Sequence, residues 1–112
     1  MVEKVDRVYT SYTKTAASVL AGLIKLGRKT KKWTEKELAE RAGISRATLQ
    51  KIEKGDLGCE IGLFFEVAAL VGVPLFEADL QKLTKENDFI QSKIALLPKS
   101  VRKAKQDVDD DF

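Results

Sequence analysis

One segment of 23 residues constrains the fold of this chain most strongly: residues 33–55 run WTEKELAERAGISRATLQKIEKG. Thr34 and Glu37 have the spacing of a capping box, in which each side chain accepts a hydrogen bond from the other residue's backbone N–H. Gly43 can adopt the left-handed conformation that often ends a helix, and Ser45 is a favoured N-cap for the next helix. The segment therefore predicts two short helices joined by a tight turn.

Both predicted helices carry a packing side. Their apolar residues follow helical spacing and are Leu38, Ala39, Ala42, Ile44, Leu49 and Ile52. A different side of the second helix carries Arg46, Ala47, Gln50 and Lys51. One packing side and one polar side are typical of a helix that enters the DNA major groove. The segment therefore predicts a helix-turn-helix.

Positive charge is concentrated around this motif. The formal net charge of the whole chain is only +3, but Lys25 to Lys54 contains ten Lys and Arg against four Glu, a net +6. Such charge beside a recognition helix attracts phosphates. A solvated helical face is the alternative for any one of these side chains, and cations at the end of the first helix also complement its dipole. As a cluster, they favour a nucleic-acid partner.

The composition argues against an enzyme. The chain has no His and a single Cys, Cys59, so it lacks the commonest general base and cannot form a Cys-rich zinc site. It also lacks a Gly-rich phosphate loop. We therefore predict no catalytic residues, no metal and no cofactor. One Cys and no apolar run of transmembrane length favour a cytoplasmic protein without membrane contact.

Two further helices flank the motif. The first is predicted to run from Thr13 or Thr15 to about Thr30, with apolar residues near the helical period. Residues 61–71 are apolar nearly all round, which predicts a buried helix. Pro74 is then suited to the first turn of a following helix.

The last predicted helix, which extends to about Leu96, is more apolar than a small core requires. Its apolar residues recur at intervals of three, four and seven and are Leu80, Leu83, Ile90, Ile94 and Leu97, with Phe89 beside them. Because twofold dimers are the commonest oligomers, we predict a homodimer interface formed by Phe89, Ile90, Ile94 and Leu97. The alternative is that this helix folds back over the fourth.

These elements predict an all-α fold with five helices in one domain, residues 13–97, and flexible termini. Residues 1–12 would form an N-terminal arm, either as a brief strand or packed on the domain. Residues 98–112 form a tail that is too charged to fold alone. This tail is either solubilising or a docking peptide with Phe112 as its anchor.

The motif resembles the XRE-type helix-turn-helix regulators, the family of the phage lambda and 434 repressors. The resemblance covers about residues 20–75 and rests on Leu38-Ala39, Gly43-Ile44-Ser45, Leu49, Ile52-Glu53 and Gly55. It implies a lambda-repressor-like fold. It also implies an ion pair between Arg28 and Glu53 that ties the first helix to the third and leaves neither charge buried alone.

The same resemblance implies the DNA contacts. Base edges would be contacted by Arg46, Ala47, Gln50 and Lys51, with guanine suited to the arginine, adenine to the glutamine and a thymine methyl to the alanine. Phosphates would be bound by Thr34, Thr48, Lys54 and the backbone N–H of Gly55. Glu35 departs from the family, which usually has Gln there. Its carboxylate repels phosphate and can instead orient Arg46.

The region after the third helix resembles a narrower group, the HipB-like antitoxins that pair with HipA-like kinase toxins. This resemblance rests on residues 67–76 and 94–103. It implies a sequence-specific double-stranded DNA-binding repressor that binds a palindromic operator in its own promoter as a dimer and also binds a kinase-like toxin. Two alternatives remain open: a stand-alone or phage-type regulator, and a protein-interaction module that no longer reads DNA.

Overall fold

The structure is a computed structural model and describes residues 7–101 and 103. Its helices are α1 (Ser11–Thr30), α2 (Glu35–Ala42), α3 (Arg46–Glu53), α4 (Ile61–Leu70) and α5 (Leu80–Ala95). No β-strand occurs within the described ranges. The predicted all-α fold of five helices is therefore confirmed. Part of each predicted flexible terminus, including Phe112, lies outside the described residues.

Helix α1 begins earlier than predicted because Thr10, rather than Thr13 or Thr15, is its N-cap. The Thr10 side chain accepts a hydrogen bond from the Thr13 N–H at 3.2 Å. Residues 7–10 have no regular secondary structure, so the described part of the predicted arm forms no strand. The helix ends at Thr30, as the sequence predicted.

The helix-turn-helix forms around its predicted caps. Thr34 Oγ1 accepts from the Glu37 N–H at 3.0 Å, and Glu37 Oε1 accepts from the Thr34 N–H at 2.8 Å. Gly43 ends α2 at φ +71°, and the Ile44 N–H donates to Ala39 O at 3.0 Å. The capping box and the left-handed glycine therefore fix the turn between α2 and α3.

The core of α1–α4 is aliphatic apart from Phe64. Its largest fully buried side chains are Ile24, Leu38, Leu49, Ile52 and Val67. Most of the predicted packing side of the motif lies in this core, with Ala42 and Ile44 partly buried against it. Each fully buried aliphatic side chain contributes about 1.5–3 kcal/mol, so the core holds the two short helices of the motif.

Helix α4 is buried on one side only, which corrects the prediction of a buried helix at residues 61–71. Phe64, Val67 and Ala68 are buried, whereas Ile61 is 72% exposed. Uniform apolarity along a helix does not identify the side that neighbours cover, and most proteins retain much apolar surface. The exposed ring of Phe65 stacks on Phe76, with centroids 5.9 Å apart.

Pro74 does not begin a helix, contrary to the prediction. The chain turns at Gly72, whose φ is +82°, and α5 begins only at Leu80. Asp79 supplies the N-cap, because its Oδ1 accepts from the Gln81 N–H at 2.9 Å. Proline at the first turn offers no such side-chain acceptor.

The backbone divides into two compact units, Met1–Phe76 and Glu77–Phe112. Helices α1–α4 belong to the first unit and α5 to the second. The predicted domain at 13–97 therefore includes parts of both units. None of the helices formed by the described residues has the length and apolarity needed to cross a bilayer.

Candidate nucleic-acid interface

Helix α3 presents the predicted base-contacting residues on one surface. Arg46, Ala47 and Lys51 are exposed, and Gln50 is partly buried. Residues four apart on a helix lie one above the other, so two rows form along the first two turns. The opposite side of the helix is anchored in the core, which fixes the direction in which these four side chains extend.

The start of α3 carries a hydroxyl pair. Ser45 Oγ accepts from the Thr48 N–H at 3.0 Å and donates to Thr48 Oγ1 at 2.9 Å. Because Thr48 Oγ1 accepts this bond, its own O–H remains able to donate. A hydroxyl donor at a helix N-terminus, where the dipole favours anions, can bind a phosphate.

Glu35 connects the start of α2 to α3 through its carboxylate. Gln50 Nε2 donates to Glu35 Oε1 at 3.1 Å, and Arg46 Nη2 lies 3.7 Å from the same oxygen. The hydrogen bond from Gln50 is the largest of the contributions that lower the pKa of Glu35, and the charges of Arg28 and Arg46 add to it against the effect of burial. The carboxylate is therefore held ionised beside the predicted base-contacting residues.

Two of the three predicted phosphate-binding side chains are exposed, and the third, that of Thr48, is partly buried. Thr34 is exposed at the start of α2, and Lys54 is exposed at the C-cap of α3. The Thr34 N–H is already bonded to Glu37, so only its hydroxyl has a proton to donate to an anion. An exposed lysine and a free hydroxyl proton can each bind a phosphate oxygen.

Gly55 follows the C-cap of α3 and lies close to α1. Its backbone N–H, which the resemblance assigned to phosphate, donates to Ile52 O at 3.0 Å. Its φ is +78°, and a Cβ at this position would lie 3.2 Å from Ala17 O of α1. Left-handed conformation and close backbone approach both favour glycine. The structure thus gives Gly55 a role in ending α3 against α1, with its N–H already bonded.

Arg28 and Glu53 form the ion pair that the resemblance implied. Arg28 Nε donates to Glu53 Oε2 at 2.7 Å and Nη2 donates to Oε1 at 3.0 Å, while Nη1 donates to Trp33 O at 3.0 Å. The two side chains are 8% and 4% exposed. These bonds to Glu53 are the main reason that the pKa of Arg28 is raised. The pair ties α1 to the end of α3.

Trp33 is a contact residue that the sequence analysis did not identify. The Arg41 guanidinium lies 4.2 Å from the centroid of its ring, and Lys31 Nζ lies 5.5 Å from it. These are cation–π distances. The sequence signal for these cation–π contacts is a Trp directly before a helix N-cap in a basic segment. The ring holds two cations of the basic cluster near the start of α2.

The predicted dimer residues lie on or just after α5. Their exposed fractions are 63% for Phe89, 52% for Ile90, 54% for Ile94 and 65% for Leu97. Lys93 Nζ lies 5.0 Å from the centroid of the Phe89 ring. Helix α5 itself has no buried residue, so the second unit presents apolar side chains that a partner can cover.

The described residues contain no group of three or more His, Cys, Asp or Glu side chains placed to hold a metal ion. Cys59 is partly buried, and this burial is the main reason that the pKa of its thiol is raised. A thiol with a raised pKa is a poor nucleophile at neutral pH.

Residues 24–77 match the helix-turn-helix family. Among solved structures, the chain is similar to a HipB variant in complex with an O2 20-mer, with a TM-score of 0.50 and 25% identity over 68% of this chain and 97% of that chain. It is also similar to a structure called MDT Protein, with a TM-score of 0.50 and 25% identity over 67% of this chain and 97% of that chain. For the HipA–HipB–O2–O3 complex the TM-score is 0.49, with 25% identity over 67% of this chain and 97% of that chain. No curated protein matches the chain.

Proposed function

We propose that this chain, whose residues 24–77 match the helix-turn-helix family, represses transcription by binding a specific double-stranded DNA sequence. The observation that carries the proposal is the exposed polar side of α3, where Arg46 and Gln50 extend from a helix fixed in the core. Arg46 has the donors for guanine O6 and N7, and Gln50 has the donor and acceptor for adenine. Thr34, Thr48 and Lys54 are the proposed phosphate-binding residues.

The direct test is selection of bound duplexes from a random pool by the purified protein. We expect a palindrome whose half-sites are about one helical turn apart. Binding should weaken steeply as salt rises, because phosphate contacts release counterions. No enriched sequence, or an affinity that hardly changes between low and physiological salt, would contradict the proposal.

Two substitutions separate base contacts from phosphate contacts. Arg46→Ala should cost about 1–3 kcal/mol of binding, concentrated at one base pair. Lys54→Ala should weaken all sequences evenly and reduce the salt dependence. Lys85→Ala on α5 is the control, because it removes the same charge outside the helix-turn-helix unit. Equal losses for the three variants would contradict these assignments.

The homodimer is proposed from α5. Its Phe89, Ile90 and Ile94 are 52–63% exposed, so covering them would gain roughly 1–2 kcal/mol each, which gives a second copy a physical reason to associate. Ile94→Glu should yield a monomer in sedimentation equilibrium, whereas Gln91→Glu adds the same charge at a polar position of α5 and should remain a dimer. A monomeric unmodified protein would contradict the proposal.

The HipB likeness supports a second partner, a HipA-like kinase toxin, in the cytoplasm. It is carried by the match to the HipB variant and by the resemblance of residues 67–76 and 94–103 to HipB-like antitoxins. Co-expression with a kinase-like protein encoded beside this gene should give a complex that co-purifies and loses kinase toxicity. If no neighbouring kinase binds or is neutralised, the protein is a regulator without a toxin.

One observation favours a different function, a protein-interaction module without DNA reading. The Glu35 carboxylate at the start of α2 is held ionised where relatives usually have Gln, and a negative charge there repels phosphate. This alternative predicts that Arg46→Ala and Gln50→Ala leave the biological activity intact. Loss of operator repression by either variant would rule it out.

A further inference from the structure

Glu35 contacts two of the proposed base-reading residues through one oxygen. Its Oε1 accepts from Gln50 Nε2 at 3.1 Å and lies 3.7 Å from Arg46 Nη2. The Glu35 side chain is 30% exposed and the Arg46 side chain 61%. Glu35 is therefore the less exposed of the two charged side chains, and it can act on Arg46 and Gln50 from within the domain.

The chemistry of this contact fixes the direction of the Gln50 amide. An ionised carboxylate only accepts hydrogen bonds, so the amide must turn its NH2 group toward Glu35. The amide is planar, and Gln50 Oε1 consequently points away from Glu35. No hydrogen bond within the described part of the chain uses that oxygen. The oxygen and the second N–H proton of Nε2 remain available to a ligand.

We propose that Glu35 is a positioning residue for base recognition, which holds the Gln50 amide with its oxygen outward so that it accepts from a base amino group. In the major groove adenine N6 and cytosine N4 are amino donors, whereas guanine and thymine present acceptors. Adenine also offers N7 to the second N–H of the amide. The fixed amide therefore selects adenine and rejects guanine and thymine. This inference rests on the DNA binding proposed above.

The competing explanation is that Glu35 acts only by its charge. In that case removing the charge raises affinity for every duplex and leaves base preference unchanged. Glu40→Gln is the matched control, because Glu40 is an exposed carboxylate on the same helix that takes part in no side-chain hydrogen bond or ion pair found among residues 7–101. Glu35→Ala removes the acceptor, and Glu35→Gln removes the charge but keeps an acceptor oxygen.

The experiment first compares duplexes selected from a random pool by the unmodified protein and by Gln50→Ala, which identifies the base pair that Gln50 reads. Four duplexes that differ only at this pair are then titrated with each variant. Gln50→Ala should lower the preference for adenine by about 5- to 150-fold. Glu35→Ala should lower it by about fivefold or more, and Glu35→Gln by less. Glu40→Gln should leave the preference unchanged.

A positioning role makes one further demand: in the Gln50→Ala background, Glu35→Ala should not change the preference again. A further loss there, or full preference in Glu35→Ala alone, overturns the inference. Should Glu35→Ala fail to fold by circular dichroism, Glu35→Leu, which also removes the acceptor, takes its place, and full preference in that variant overturns the inference equally. An unmodified protein that selects no sequence removes the proposed function itself, and this inference with it. These outcomes are distinguishable because the first group leaves specific binding by the unmodified protein intact.

Discussion

Replacing Glu53 by alanine leaves the Arg28 guanidinium charged and without its carboxylate in the interior of the first unit. The two side chains are 8% and 4% exposed, so water cannot replace the lost partner without opening the structure. Arginine also cannot escape by losing its proton. Of the three hydrogen bonds of Arg28, only the one from Nη1 to Trp33 O would remain.

The expected cost follows from that burial. Removing one partner of a buried ion pair destabilises a protein by about 3–5 kcal/mol. A unit of roughly 70 residues has a total stability of about 4–10 kcal/mol at the usual 0.05–0.15 kcal/mol per residue. Glu53→Ala should therefore remove about a third of the stability or more. Replacing both partners, as in Arg28→Met with Glu53→Leu, should cost much less because no unpaired charge remains.

Urea unfolding followed by far-UV circular dichroism near neutral pH measures these differences. Glu40→Ala is the control, since it removes an exposed carboxylate from α2 and should change stability by about 0.5 kcal/mol or less. The reasoning is refuted if Glu53→Ala costs less than about 1 kcal/mol, well below the range for an uncompensated buried charge. A double variant as unstable as Glu53→Ala would refute it as well.

Four other substitutions test the fold. Gly27→Ala should lower the thermal midpoint and reduce the free energy of unfolding by about 1–3 kcal/mol, because its Cβ would lie 2.8 Å from Val71 O. A Cβ at Gly22 would meet no atom within 4 Å, so Gly22→Ala should instead raise the free energy of unfolding by about 0.5–1 kcal/mol. Thr34→Ala should cost about 1 kcal/mol in urea unfolding by removing the capping box. The hydrogen bond from the α3 glutamine lowers the pKa of Glu35. The stability that this bond gives the folded protein is therefore present above about pH 4–5 and is lost as the pH falls through the lowered pKa. Glu35→Gln should therefore make the free energy of unfolding less dependent on pH in the acid range.

The helix-turn-helix could be predicted because its determinants are local. The capping box of Thr34 and Glu37 and the left-handed Gly43 each depend on residues only a few positions apart. The start of α1 could not be chosen in the same way, since several threonines stand within six positions and each is a competent cap. The helical pattern favoured Thr13 or Thr15, whereas the folded structure uses Thr10.

Other features depend on tertiary geometry, which the sequence pattern does not contain. Gln50 and Glu35 are 15 positions apart, and no periodicity indicates that their side chains meet. The N–H of Gly55 is bonded within the chain. A glycine after a helix gives the same sequence signal whether its N–H is bonded in this way or is available to a phosphate. The exposed side of α4 was likewise missed, because its apolar residues surround the helix and only the position of its neighbours selects the buried side.

The eight residues of α3 are too few for a stable isolated helix, so the direction of its polar side chains depends on the core and on the ion pair at its end. This dependence gives two classes of variant different signatures. Loss of the Glu53 carboxylate lowers the folded fraction, which reduces binding to every duplex by one common factor. Loss of the Glu35 carboxylate leaves the core intact and changes the orientation of one amide, which alters the ratio between duplexes. A changed ratio between the affinities for two duplexes therefore indicates a positioning effect, whereas an equal fall in both absolute affinities indicates a folding effect at the same surface.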